Sequence, residues 1–264
     1  MNRDTLYSVV VADLSGGATL TVPEYGDRYT SVMIVNQDHY INRIIHEPGE
    51  HRLTMDEFDT QYALVGARVL ADPEDPADVA AANDIQRAFG FEAANSQPFE
   101  MPDYDKESFD GVRAAVLTLG RYTGGGGRSF GRKDDVDPVR HLCGTAVGWG
   151  GLPEHEAVYD FLSGGPADEP QRIVVRDVPV DAFWSFSVYN ADGFFEKNSR
   201  DVYSVNSITA TPEADGSIVV HLGGDDDRPN LIPITDGWNA VARMYRPRQE
   251  VIDGTWKFPR PEPA

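Results

Sequence analysis

Short hydrophobic stretches rich in β-branched residues recur through the first 70 residues and are separated by turn-forming residues. Such stretches are typical of β-strands, and the intervening Gly, Pro and Asp residues are typical of turns. No helical pattern lies between them, which favours antiparallel pairing. The predicted strands are YSVVVADL, ATLTVPEY, YTSVMIVNQ and YALVGARVL.

The same pattern returns from Gln171 to the C-terminal region. In FWSFSVYN, residues 183–190, large apolar and polar side chains alternate, which predicts an antiparallel strand with one buried and one solvated face. The Asp-Gly dipeptides at 192–193 and 215–216 predict hairpin turns. Further strands are predicted in QRIVVRDVPV, GSIVVHLGG and WNAVARMYRP.

The middle of the chain has helical spacing instead. DPEDPADVAAANDIQRAFG begins with Pro and acidic residues, and ESFDGVRAAVLTLGRY offers Ser108 or Asp110 as an N-cap. We therefore predict a helical segment over roughly residues 73–122. The following stretch, TGGGGRSFGRKDDVDP, is rich in Gly and charge and predicts a mobile loop or a domain junction.

These patterns predict a mainly β protein with an interposed helical segment. A chain of 264 residues is long enough for one large domain or two modest ones, each with a buried core. The predicted divisions are a β-domain at residues 1–72, the helical segment and Gly-rich loop at 73–140, and a second β-domain at 141–264.

The net charge of −20 limits the partners that the protein can bind. Nucleic-acid binders need a positive surface, so the charge excludes a nucleic-acid partner. The sequence has neither an apolar run long enough to cross a bilayer nor a basic region followed by an apolar leader. We therefore expect a cytoplasmic protein with no membrane partner, and a homo-oligomer is compatible with the sequence.

Metal and cofactor chemistry have weak support in the sequence. The single Cys143 excludes an internal disulfide and a thiolate-rich metal site. In HEPGEH, residues 46–51, a hairpin would bring two imidazoles and a carboxylate together for a divalent metal, whereas a solvated hairpin tip would need none. We predict no bound metal and no cofactor, with HEPGEH left open as the alternative.

Two catalytic patterns lack the context that their chemistry requires. The segment 127–131 fits G-x-S-x-G, but glycines precede Ser129 where a strand is needed. The segment 155–159 begins like a zinc-protease helix, but Tyr159 stands in place of the second histidine. Neither pattern supports an assignment.

Longer motifs resemble two known domains. The segments VPVDAFWSFSVYNADGFFEKN, VYSVNS, NLIPITDGW and ARMYRPRQEVIDGTWKFP follow one another as in the DUF1214 domain, which the C-terminal part resembles. The stretch NRDTLYSVVVADLSGGATLTVPEYGDRYTSVMIVNQ resembles the DUF1254 domain, whose signature is N-x-D-T-x-Y followed by a strand, V-P and R-Y. The resemblance implies an immunoglobulin-like β-sandwich, a jelly-roll-like β-domain and interposed helices. Most members of these families have no known function.

Polar residues within and near these motifs are the candidate site residues, and we expect a site between the two β-domains. The candidate acid–base residues are Asp4, Tyr7, His155, Glu156 and Tyr203. The candidate ligand-binding residues are Asn2, Arg3, Thr5, Tyr189, Asn198, Ser204 and Asn206.

Two hypotheses follow from this set. The protein is a small-molecule-binding protein, and as a cofactor-independent enzyme it would act on a small organic metabolite through converging acid–base groups. Alternatively, it is a non-catalytic ligand-binding or structural module, since these side chains can also cap backbone groups. The sequence leaves open whether the protein is an enzyme.

Overall fold

The computed structural model describes residues 2–123, 127–224 and 227–264. The fold is mainly β, with sandwich-like units and a few helices, as the sequence predicts. The chain forms two compact units. The N-terminal unit is Thr5–Pro153, and the C-terminal unit is Glu154–Ala264 together with the residues up to Asp4.

The N-terminal unit contains two sheets that enclose a shared core. The four-stranded sheet has the order β1-β6-β3-β4, and the three-stranded sheet has the order β5-β2-β7. Leu20 from the smaller sheet packs in one cluster with Ile34 and Val65 from the larger sheet. The strands are β1 Thr5–Asp13, β2 Ala18–Val22, β3 Thr30–Asn36, β4 Ile41–Ile45, β5 Gly49–Leu53, β6 Tyr62–Leu70 and β7 Gly90–Ala93.

The HEPGEH segment does not form the expected hairpin. Strand β4 pairs with β3 in one sheet, whereas β5 pairs with β2 in the other, so the segment carries the chain from sheet to sheet. The predicted helical segment is also interrupted, because β7 pairs with β2 after the first long helix. A four-residue strand is too short to give a clear alternating pattern.

Helices α1 Met55–Phe58, α2 Pro76–Ala88, α3 Lys106–Thr123 and α4 Pro138–Val147 belong to the N-terminal unit. The start of α2 has Pro76 in its first turn, and the Asp75 side chain accepts a hydrogen bond from Ala77 N. At the start of α3, Asp105 accepts from Ser108 N, so Asp105 has the capping role expected of Ser108 or Asp110. Helix α4 is capped by Asp137 in the same way.

The Gly-rich segment falls partly outside the described residues, at positions 124–126. Its described part is held by hydrogen bonds: Arg128 Nε donates to Asp135 O, Asp137 N donates to Arg128 O, and Ile41 N donates to Gly131 O. These bonds join the described part of the segment to its own following residues and to the start of β4. The division between the two units falls after Pro153.

The C-terminal unit is a second sandwich, with strand orders β11-β10-β14-β8 and β13-β12-β9-β15. Its core joins Phe186 and Trp184 of one sheet to Ile173 and Leu222 of the other. The strands are β8 Ala157–Ser163, β9 Gln171–Val175, β10 Trp184–Tyr189, β11 Ser204–Asn206, β12 Ile218–Leu222, β13 Leu231–Ile232, β14 Asn239–Tyr245 and β15 Glu262–Pro263. A short helix, α5 Gln249–Ile252, precedes β15.

The two Asp-Gly dipeptides form tight turns but do not close two-residue hairpins. Gly193 and Gly216 have φ of 83° and 81°, a region that favours glycine. Strand β10 pairs with β11, which starts only at Ser204, so a long loop connects them. Among the described residues, no helix is both long and apolar enough to cross a membrane.

Candidate functional site

The candidate site lies on one face of the β11-β10-β14-β8 sheet. Antiparallel pairing places Ser185 of β10 opposite Arg243 of β14 and opposite Asn206 of β11. Side chains on directly opposed residues share a sheet face, and Ser187 and Tyr189 follow at period two. The other face of β10 carries the apolar residues of the core.

This polar face is buried, although the sequence pattern predicts a solvated one. All six residues of β10 are buried, and Arg243 is only 8% exposed. A polar group removed from water is costly unless it finds hydrogen-bond partners. The groups that meet on this face must therefore supply hydrogen bonds to its buried polar side chains.

Asp4 is the most buried ionisable group there, with 1% of its surface exposed. Its Oδ2 atom accepts a hydrogen bond of 2.6 Å from Ser185 Oγ. The pKa of Asp4 is raised above its ordinary value. Burial raises it and outweighs the Ser185 hydroxyl, the Arg243 charge and the Asn206 amide, which lower it. Its Oδ1 atom is buried and has no hydrogen-bond partner within the described part of the chain.

Arg243 organises the neighbouring hydroxyl groups. Its Nη1 atom donates to Ser187 Oγ at 3.0 Å, and its Nη2 atom donates to the Tyr189 hydroxyl at 2.6 Å. A guanidinium retains its positive charge at any physiological pH. We call Asp4, Ser185, Ser187, Tyr189, Asn206 and Arg243 the Asp4 cluster.

The residues before Asp4, which belong to the C-terminal unit, contact side chains of β14 and of the segment before β11. Asn2 Oδ1 accepts from Asp4 N at 2.8 Å, and Asn2 Nδ2 donates to the Tyr245 hydroxyl at 2.9 Å. The Arg3 guanidinium lies 4.7 Å from the centre of the Tyr203 ring. Asn2 and Arg3 therefore hold the short N-terminal segment against the sheet.

Tyr203 has a local partner. Its hydroxyl donates to Asp201 Oδ1 at 2.8 Å, and this bond, with a smaller contribution from burial, raises the pKa of Tyr203. A hydroxyl whose proton is held in this way is a poor general base. The structure thus favours a packing role for Tyr203, under Arg3.

The polar run after β10 partly ties down its own loop. Asn198 Oδ1 accepts from Arg200 N, and Asn198 Nδ2 donates to Val202 O at 2.9 Å. Asn206 Oδ1 accepts from Ile208 N and Thr209 N, each at 2.9 Å. Asn198 thus stabilises the loop, Asn206 has both a loop role and a place beside Asp4, and Ser204 is half-buried on β11.

The remaining predicted site residues lie outside the Asp4 cluster. Thr5 and Tyr7 begin β1 of the N-terminal unit, where the Arg68 guanidinium lies 5.4 Å from the Tyr7 ring centre. His155 is exposed, and Glu156 is buried just before β8 with its carbonyl accepting from Arg246 N. The segment after His155 is a strand, which differs from a zinc-protease helix.

The histidines of HEPGEH take part in hydrogen bonds. His51 Nε2 lies 2.8 Å from Glu47 O, and His51 Nδ1 lies 3.2 Å from Arg43 Nη2. A neutral imidazole with Nε2–H as donor satisfies both contacts. In the described ranges, no group of three or more His, Cys, Asp or Glu side chains could hold a metal ion.

A second polar cluster, in the N-terminal unit, centres on His39. Its Nδ1 lies 2.9 Å from Thr145 Oγ1, and its Nε2 accepts from Gly150 N at 3.0 Å. The ring stacks on Trp149 with centres 5.1 Å apart, and His141 lies at 5.2 Å. Burial, and then the charge of His141, lower the pKa of His39 to about 4.

Sequence reasoning missed three members of the Asp4 cluster as site residues. Ser185 and Ser187 stand out only as polar positions in an alternating strand. Arg243 is the one charged residue inside WNAVARMY, and this was an available signal. A charge at the centre of an otherwise apolar strand is rarely buried without a partner.

Comparisons with known proteins support the C-terminal resemblance. Residues 167–249 match the family model described as "Protein of unknown function (DUF1214)". The crystal structure of the VPA0106 protein from Vibrio parahaemolyticus is similar, with a TM-score of 0.80 at 15% identity, over 100% of this chain and 90% of that one.

An uncharacterized protein from Burkholderia cenocepacia is also similar, with a TM-score of 0.60 at 17% identity, over 99% of this chain and 76% of that one. At these identities the two structures show a shared fold alone. No curated protein matches the chain.

Proposed function

We propose that the protein binds a small organic molecule at the Asp4 cluster, with the Asp4 carboxyl as the group that contacts it. The observation that carries this proposal is the buried Oδ1 atom, which has no hydrogen-bond partner among the described residues. Leaving a buried polar atom unpaired costs about 1–3 kcal/mol. A ligand that supplies the missing hydrogen bond would recover part of that cost.

The chemistry of the cluster suggests the ligand class. Burial favours the protonated form of Asp4, while Arg243 remains a cation. A protonated carboxyl beside a guanidinium gives a site with excess positive charge. Such a site suits a small metabolite with a carbonyl or carboxylate oxygen, which would accept the Asp4 proton in a hydrogen bond.

The catalytic version of the proposal uses the same proton. A buried carboxyl with a raised pKa can act as a general acid toward a carbonyl or leaving-group oxygen, as acid–base enzymes do without a cofactor. Of the acid–base residues predicted from the sequence, Asp4 is the one with this environment. The hydroxyl of Tyr203 is instead bonded to Asp201.

A structural role is the second candidate, and a specific observation favours it. Asn2 binds the Tyr245 hydroxyl, and Arg3 contacts Asp201 and the Tyr203 ring, so the segment just before Asp4 is already attached to the C-terminal unit. On this alternative, Asp4 and Ser185 add one more attachment point, and no ligand is involved.

We also propose that the stretch from Asn2 to Gln37 is related to DUF1254, on the strength of its N-x-D-T-x-Y motif and the strands that follow. A cytoplasmic location is part of the same proposal. It is supported by the free, buried Cys143, which suits a reducing compartment.

A thermal-shift screen with small carboxylic, hydroxy and keto acids tests the proposal. We expect at least one compound to raise the melting temperature of the wild-type protein and to do so much less in Asp4→Ala, which removes the hydrogen-bonding carboxyl. Asp4→Asn keeps an N–H donor but cannot transfer a proton, so it tests only catalysis. Asn198→Ala is the control, since it loosens a loop of the same unit and should keep the ligand response.

The outcomes separate the candidates. Turnover of a hit by wild type but not by Asp4→Asn, followed by NMR of the compound, supports the enzyme. Binding with recovery of the unchanged compound supports a non-catalytic binding protein. If no compound acts and Asp4→Ala only lowers the melting temperature, the structural role is correct.

A further inference from the structure

Helices α3 and α4 form an unusually open pair within the N-terminal unit. They meet where Cys143 of α4 packs against Val116 and Gly120 of α3: Cys143 Sγ lies 3.8 Å from Val116 O, and Gly120 leaves room beside the cysteine. None of the 18 residues of α3 is buried. A helix stabilised by packing normally buries one stripe of side chains.

Several exposed apolar residues of α3 lie on the stripe that faces this contact. Phe109 and Val112 share a helix face with Val116 and Gly120, because they are spaced at three and four residues. They are nevertheless 56% and 61% exposed. The apolar stripe of α3 therefore continues beyond the point where α4 covers it.

Helix α4 also has exposed apolar residues on the stripe that faces its partner helix. Val139 and Val147 lie four residues before and after Cys143, on the stripe that faces α3, and about half of each is exposed. The inner stripes of both helices are thus in contact at one place and open to solvent on either side of it. Two further helices could fill these open parts, as in a four-helix bundle.

The exposed area is large enough for a stable interface. Phe109, Val112 and Leu119 of α3, with Val139 and Val147 of α4, present roughly 500 Å² of apolar surface, at about 100 Å² for each half-exposed side chain. A standard interface buries about 800 Å² per partner, of which a little over half is apolar. The helix pair meets this requirement.

The charge distribution points to a second copy of the same chain as the occupant. Residues 106–147 contain seven Lys or Arg and five Asp or Glu, a net charge of +2, so the rest of the chain carries −22. Two copies that approach through most of their surface repel each other. Through the helix pair, whose own residues carry only a small net charge, the repulsion between the opposed surfaces is smallest.

We propose that two copies of the chain associate through their α3–α4 pairs and bury Phe109 and Val112 in a four-helix interface. This inference does not depend on the ligand proposal, because it concerns another unit and other residues.

Sedimentation of the full chain tests it. Wild type should sediment at twice the 29.1 kDa of one chain, and Phe109→Glu/Val112→Glu should raise the dissociation constant about a hundredfold or more. The matched control is Val9→Glu/Val11→Glu, which places two charges at 58% and 50% exposed valines of β1, and it should leave the dimer intact.

Three results would overturn the inference: a monomeric wild type up to about 100 μM, a dimer that persists in the α3 variant, or a dimer lost only in the β1 variant. If the α3 variant fails to fold, hydrogen exchange on wild type decides. Amides of residues 106–123 should exchange more slowly at about 100 μM than at about 1 μM, and unchanged exchange would contradict the interface.

Discussion

Lowering the pH from 7 to 4 should destabilise the protein through His39. The folded chain holds His39 neutral, with Nε2 accepting from Gly150 N and a pKa near 4, because burial and the charge of His141 oppose protonation. The unfolded chain protonates this histidine near pH 6.5. Protons therefore bind preferentially to the unfolded state between these two values, and stability falls as the pH falls.

The size of this stability loss follows from the difference between the pKa of His39 in the unfolded chain and in the folded chain. A shift of about 2.5 pH units at about 1.4 kcal/mol per unit gives a loss of about 3 kcal/mol between pH 7 and pH 4. The loss should level off below pH 4, where both states are protonated. His39 is only 7% exposed, so solvent screening reduces this value little.

Urea unfolding at several pH values measures this loss against a matched variant. His39→Asn removes the imidazole and tolerates the positive φ of 67° at this position. The stability difference between wild type and His39→Asn should shrink by about 3 kcal/mol from pH 7 to pH 4. His155→Asn, at an exposed histidine, should leave the pH dependence as in wild type. A wild-type advantage over His39→Asn that stays constant across this range would refute the reasoning.

Two further predictions concern the C-terminal unit. Arg243→Met leaves the buried Ser187 and Tyr189 hydroxyls without their hydrogen-bond donor, so urea unfolding should show a loss of about 3 kcal/mol. Arg260→Met, which breaks only the exposed pair with Asp160, should cost less than about 1 kcal/mol, and equal losses would contradict the assigned role of Arg243. Gly164→Ala would place a methyl group 2.1 Å from the Trp238 ring and should cost about 3 kcal/mol. Gly165→Ala, with its nearest neighbour at 3.8 Å, should stay within about 1 kcal/mol of wild type; similar melting temperatures for the two variants would contradict the packing.

The strands with a strong alternating or β-branched pattern could be predicted from the sequence, whereas short and polar elements could not. Strand β5, GEHRL, carries three polar or charged residues in succession and has no apolar alternation to recognise. Helix α4 contains Gly144 and is only ten residues long, so its helical period is weak. Strand β5 was missed because its pairing with β2, which local pattern does not encode, stabilises it. Helix α4 was missed although Asp137 and Pro138 mark its start as Asp75 and Pro76 mark the start of α2.

The candidate site could likewise be predicted only in part. Alternation along β10 correctly separates the apolar face from the face that carries Ser185, Ser187 and Tyr189. The burial of the polar face could not be predicted, because it depends on Asp4, which lies 181 positions from Ser185 in the chain. No local pattern can indicate a contact between residues so far apart.

The most direct test of the ligand proposal is a crystal structure of the protein with the best compound from the thermal-shift screen. We expect an oxygen of the compound to lie about 2.6–3.0 Å from Asp4 Oδ1, within reach of the Arg243 guanidinium. A compound bound elsewhere, with Asp4 Oδ1 bonded only to protein or ordered water, would contradict the proposal.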